Sequence, residues 1–242
     1  MICPLCACAL GRMGIAVEGA GRGRLIFGLD ATASRQPTWD QACHLQAQMF
    51  EEVATGGLEI QLIYYRGLSE CRASPWVADA RPLGELMSRI RCVTGTTQLL
   101  KILAHAQREN DSKKVGALVF IGDAFEESLN EVCAAAGQLG LSGIPALMAQ
   151  EADDPVCEQA FREIASLSHG AYCRFAPGPA HELGQLLRAA AAYALRPSMA
   201  EAPLHCSSNL SSAFARRVRK ICARVSGGGT RPRHGHHRSP DP

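Results

Sequence analysis

Two carboxylates and three hydroxyls stand out by their placement. Asp30, Thr32 and Ser34 lie within Asp30-Ala31-Thr32-Ala33-Ser34, Thr96 follows Gly95, and Asp123 follows Gly122. All five side chains offer oxygen, the donor preferred by a hard divalent cation such as Mg²⁺ or Mn²⁺. Hydroxyls bind such an ion directly, while aspartates bind it directly or through water. An ion with few direct carboxylates stays strongly electrophilic and favours a carboxylate brought by a partner protein to its open position. That chemistry serves cation-bridged adhesion rather than hydrolysis.

The elements that must position these residues are legible from periodicity. Arg24 to Asp30 is a short apolar run ending in an acid, as expected of a buried parallel strand. Pro37, Thr38 and Gln41 mark a helix start with capping-box spacing, and Ala42, Leu45, Met49 and Val53 follow on one face before Gly56-Gly57 stops the helix. Leu58 to Tyr65 predicts a second strand, and the segment from Glu70 to Val77, interrupted by Pro75, predicts an edge strand. Leu83, Leu86, Met87 and Ile90 form a helical face, and Thr97 to Arg108 predicts another helix. Val115 to Ile121 is the cleanest strand and runs into Gly122-Asp123. Helices from Glu126 to Leu139 and from Pro155 to Ser168 alternate with strands at Ile144 to Met148 and Ala171 to Phe175, and His181 to Leu195 closes the series as a helix. This alternation predicts a doubly wound α/β fold, a mostly parallel central sheet with helices on both faces. Ligands of such sheets sit beyond the carboxyl ends of the strands, where all five oxygen-bearing residues fall.

The ordered set resembles the metal-ion-dependent adhesion site of von Willebrand factor A-type (VWA) domains, whose pattern is Asp-x-Ser-x-Ser, a distant Thr and a further Asp. Asp30, Thr32 and Ser34 match the first element, Thr96 in Thr94-Gly95-Thr96 the second, and Asp123 in Ile121-Gly122-Asp123-Ala124 the third. The resemblance spans roughly residues 24–195 and implies a VWA-like fold with a partner carboxylate completing the metal shell. Threonine at 32 departs from the pattern and adds a methyl group beside the ion, Ala124 stands where glycine often follows the acid, and Thr97 competes with Thr96 as the ligand. Arg35, Trp39 and Phe125 flank the site as candidate partner contacts; the alternative is that the aromatics pack beneath their loops. The plainer reading of the five residues is that Ser34 and Thr96 cap helices and the aspartates are solvated loop ends.

Other chemistry is less well furnished. Asp30-x-Thr32 is also similar to the haloacid dehalogenase-type phosphotransferases, but threonine replaces their second aspartate and lacks a carboxylic acid's ability to exchange protons. Cys3-x-x-Cys6-x-Cys8 and His234-Gly235-His236-His237 can offer zinc ligands, without a second compact pair to close a structural site. His105 and His169 sit in helical stretches and read as surface or satisfied core residues.

The 242 residues suit one domain with extensions: a Gly-punctuated lead-in over 1–23, the α/β domain over 24–195 and a basic tail over 196–242. A net charge of +2 argues against a polyanion-binding fold, which leaves nucleic acid or an anionic membrane to the basic segment Phe214 to Val225, a solvated tail being the simpler reading. Eleven cysteines scattered through apolar-periodic segments read as reduced thiols. Together with a short apolar start lacking a positive leader and no long apolar run, they lead us to expect a cytoplasmic protein without a transmembrane segment. The expected function is metal-dependent protein binding rather than catalysis. A metal-dependent hydrolase or phosphotransferase, and a metal-free scaffold of the same fold, are the alternatives.

Overall fold

The computed structural model describes residues 23–36, Trp39, 58–78, 81–175 and Ala194. Apolar runs too short for helices become strands: β1 (Gly23–Asp30), β2 (Leu58–Arg66), β4 (Ala117–Gly122), β5 (Ala146–Glu151) and β6 (Ala171–Phe175), with β3 (Glu70–Ala73) a short return from β2. Between them run helices α1 (Arg81–Arg89), α2 (Leu99–Ser112), α3 (Leu129–Leu141) and α4 (Pro155–Leu167). The start of α4 is written locally, since Pro155 occupies its first turn and Asp154 accepts the amides of Val156 and Cys157.

The strands form one sheet in the order β3-β2-β1-β4-β5-β6. Every pairing is parallel except that of β3 with β2. Burial on both faces explains why β1 and β4 are apolar almost without interruption. Leu25, Phe27 and Leu29 of β1 meet Leu83 and Met87 of α1, and Ile90 just beyond it, on one face. Ile26 of β1 and Phe120 of β4 face the other way, toward Ile102 of α2, Val132 of α3 and Phe161 of α4. Helices therefore cover both faces, as the alternation predicts.

Two helices begin later than their periodicity suggests. The one expected from Thr97 starts at Leu99, and the one expected from Glu126 starts at Leu129, because Thr97, Glu126 and Glu127 hold two loops together. Pro75 does break the edge strand: β3 ends at Ala73, and Val77 rejoins the sheet as an isolated bridge to Ile60. The helix read over 38–53 and the closing helix read over 181–195 fall outside the described residues apart from Trp39 and Ala194. The terminal segments 1–23 and 196–242 also lie outside them, apart from Gly23, which opens β1. No helix among the described residues is long and apolar enough to cross a membrane.

Candidate metal centre

The parallel register brings the two aspartates together. Leu29 of β1 lies opposite Ile121 of β4, so Asp30 and Asp123 leave adjacent strand ends. Asp30 is fully buried; its Oδ1 accepts the Thr32 amide at 2.7 Å and its Oδ2 accepts the Tyr65 hydroxyl at 2.9 Å. Burial pushes the Asp30 carboxyl above its ordinary range; the Thr32 and Tyr65 hydrogen bonds oppose that shift, and the negative charge of Asp123 adds to it. The Tyr65 hydroxyl is itself pushed well up by burial and then by Asp30, Glu127 and Asp123. Asp30 is the carboxylate that this buried hydroxyl contacts.

Beyond Asp30 the chain makes a single 3₁₀ turn, Ala33–Arg35. This turn sets the Thr32 and Ser34 hydroxyls side by side at 3.1 Å, Thr32 buried and Ser34 exposed. The loop carrying Thr96 is drawn in by a bridge between Thr32 and Val93, whose amide bonds the Ala31 carbonyl at 3.1 Å. Gly95 is required there, since a Cβ would fall 2.0 Å from the Gly67 carbonyl oxygen. Thr96 is exposed beside this close approach. Thr97 is engaged elsewhere: its hydroxyl accepts the Glu126 amide at 3.0 Å, and its amide donates to the Glu126 carboxylate at 3.2 Å.

Asp123 Oδ1 is shielded from water and has no hydrogen-bond partner. Such an acceptor is costly unless something satisfies it, and a cation would do so. The donor set fits a hard divalent ion: the Asp123 oxygen, a neighbouring carboxylate at Asp30 and a hydroxyl pair opening to solvent. No group of three or more His, Cys, Asp and Glu side chains among the described residues is arranged to hold a metal, so an ion here would depend on hydroxyls as well as carboxylates. Cys157 lies close enough to feel both aspartates. Burial and then the charges of Asp154, Asp123 and Asp30 push its thiol up to about 12, so it brings no thiolate to the site at neutral pH.

The three candidate partner contacts are core residues. Arg35 is 1% exposed and pairs through Nε with Glu151 at 2.9 Å, while its Nη1 donates to the Ile121 carbonyl at 3.3 Å. Trp39 is buried and donates from Nε1 to the Ile90 carbonyl. Phe125 is buried among the side chains under α2, α3 and α4. None presents a surface to a partner, because each satisfies packing demands directly beneath the strand ends. Tyr65, Glu126, Glu127 and Glu151 are the surrounding groups that sequence reasoning missed. Tyr65 reads only as a strand residue, and the Glu126-Glu127 pair reads as an acidic helix start.

A scan against protein-family models finds no match, and a comparison with curated protein sequences finds none either. Solved structures do match. The VWA domain of SpRpn10 superposes with a TM-score of 0.51 at 12% identity, covering 65% of this chain and 90% of that domain. The vWF domain of the type V pili tip protein Mfa5 from Porphyromonas gingivalis gives 0.55 at 10% identity, covering 89% and 99%. Proximal thread matrix protein 1 from the mussel byssus, with a zinc-occupied MIDAS motif, gives 0.56 at 12% identity over 75% of this chain and 48% of its own. The chain therefore has the VWA-type fold.

Proposed function

We propose that this domain binds Mg²⁺ or Mn²⁺ through Asp30, Thr32, Ser34, Thr96 and Asp123 and uses the ion to hold a carboxylate of a partner protein. The observation that carries this reading is the unpartnered Asp123 Oδ1 beside the buried Asp30 carboxylate and the Thr32–Ser34 hydroxyl pair. When bound, the ion supplies a Lewis-acidic position that a carboxylate from outside completes. Zinc in the MIDAS motif of the mussel protein supports a divalent site on this fold. The reading is binding without turnover, since Thr32 stands where a phosphotransferase of this pattern carries its second, proton-exchanging aspartate. A reducing, cytoplasmic setting belongs to this reading, because eleven cysteines scattered through apolar-periodic segments suit reduced thiols.

Calorimetric titration of Mg²⁺ and Mn²⁺ into the chelator-treated full chain, beside Asp123→Ala with folding checked by circular dichroism, tests the site. Saturable one-to-one binding that disappears in the folded variant is the expected result. No binding by folded wild-type protein, or undiminished binding by Asp123→Ala, would overturn the assignment.

A further inference from the structure

Among the described residues, the exposed large apolar side chains divide between the two ends of the sheet. Leu141 and Leu167 lie at the carboxyl ends of α3 and α4, away from the metal end. Leu68 and Val93 lie at the metal end, as does Val156 in the first turn of α4. Leu68 occupies the tip of the β2–β3 turn and is 79% exposed, and Val93 adjoins Thr32 and is 43% exposed. A leucine at a loose turn tip would mean little, but this tip is strapped down. Gln98 Nε2 donates to the Gly67 carbonyl at 3.0 Å and to the Arg66 carbonyl at 3.3 Å, and Lys101 Nζ donates to the Ser69 carbonyl at 3.0 Å. Gly95 packs directly on Gly67, and Val93 lies within reach of a Cβ placed there. The residues that fix Leu68 therefore belong to the Thr96 loop and the first turn of α2 that follows it.

The charge around this rim is one-sided. Arg66, Arg72 and Lys101 adjoin the tip, Arg66 Nη1 donates to the carbonyl of the exposed Arg91, and Glu70, paired with Arg66 at 3.0 Å and Arg72 at 2.8 Å, is the acid among them. A surface that is apolar at its tip and cationic around it disfavours a basic partner and complements an acidic one. Held in place beforehand, it also loses little entropy on association.

We infer that Leu68 and Val93 form the apolar half of the partner-binding surface. Its occupant is an acidic protein segment in which a leucine-like side chain adjoins the carboxylate that meets the ion. The inference rests on the metal-binding reading above. It assigns the partner's class by two features together, an acid for the cation and an apolar neighbour for Leu68, with further acids facing Arg91 and Lys101.

The test uses the full chain with two synthetic peptides of equal charge, acetyl-Ser-Leu-Asp-Leu-Glu-Ser-amide and acetyl-Ser-Ser-Asp-Ser-Glu-Ser-amide, titrated with and without Mn²⁺. The leucine peptide should bind the Mn²⁺-loaded protein roughly tenfold more tightly than the serine peptide, the size expected from partial burial of one leucine side chain. Leu68→Gln should erase that advantage with Mn²⁺ affinity unchanged, while Leu141→Gln at the other end should preserve it. Equal binding of the two peptides, no binding of either, or an advantage surviving Leu68→Gln with Val93→Gln would each overturn the inference. A Leu68-dependent advantage that persists in chelator would uphold the surface and sink the metal reading. Mn²⁺ binding without peptide discrimination would do the reverse.

Discussion

Arg35 follows Ser34 directly and is the residue on which three strand ends converge. Its guanidinium pairs with Glu151 at the end of β5, bonds the Ile121 carbonyl near the end of β4, and anchors the turn that leaves β1. A buried ion pair is costly to desolvate, so its removal as a pair differs sharply from the loss of one member. Arg35→Met leaves Glu151 charged in a buried site and should cost about 3–5 kcal/mol in urea unfolding. Arg35→Met combined with Glu151→Leu should recover most of that loss. A double variant as unstable as the single one would show that packing of the arginine stem, rather than charge pairing, holds the turn.

At the scale of elements, the loop after β4 and the start of α2 behave as one piece. Glu127 accepts the Leu99 amide through one oxygen and the Leu100 amide at 3.0 Å through the other, two of the amides that the first turn of α2 leaves unbonded. A carboxylate there also opposes the positive end of the helix. Glu126 and Thr97 bond reciprocally beside it. The Asp123 loop and the Thr96 loop are thereby held in fixed relation. Glu127→Ala should destabilise the domain by roughly 1–2 kcal/mol, the usual loss when a helix cap is removed, and should weaken Mn²⁺ binding measured calorimetrically. Unchanged metal affinity in a destabilised but folded variant would separate the cap from the site.

The described part of the molecule is polarised, with the candidate ligands at one end and a half-buried polar network at the other. Arg24 of β1 lies over the Trp76 ring at 3.7 Å, and its Nη2 bonds Glu109 at 2.9 Å. Trp76 Nε1 donates to the same carboxylate at 2.7 Å, and His105, 3.8 Å from Glu109, also bonds Gln61 at 2.8 Å. Burial raises the Glu109 carboxyl, but the Trp76 hydrogen bond, the His105 charge and the Arg24 hydrogen bond together outweigh it and hold the group below its ordinary 4.5. A lowered folded value means that its contribution to stability is complete above the unfolded value and is lost as pH falls through the folded one. Glu109→Gln should therefore lose stability less steeply than wild type between about pH 5 and about pH 3. Parallel unfolding curves across that range would remove Glu109 from the acid response.

The sequence alone determined the layered fold. Its strands are buried on both faces and read as unbroken apolar runs, and its helices carry one apolar stripe; both signals are local. It also determined the order of the five oxygen-bearing residues along the strand ends, because a doubly wound sheet puts every such loop at the same end. Only the tertiary structure decided which neighbours those residues have. Tyr65 meets Asp30 through strand register, and Glu127 reaches α2 across a gap of 27 residues, a relation that no local pattern encodes. Arg35, Trp39 and Phe125 read as candidate partner contacts, with packing beneath the loops left open for the two aromatics, and all three are core. Leu68, plain in sequence, proved to be surface. Periodicity reports the average environment of an element, whereas loop residues take their environment from whatever the rest of the chain folds against them.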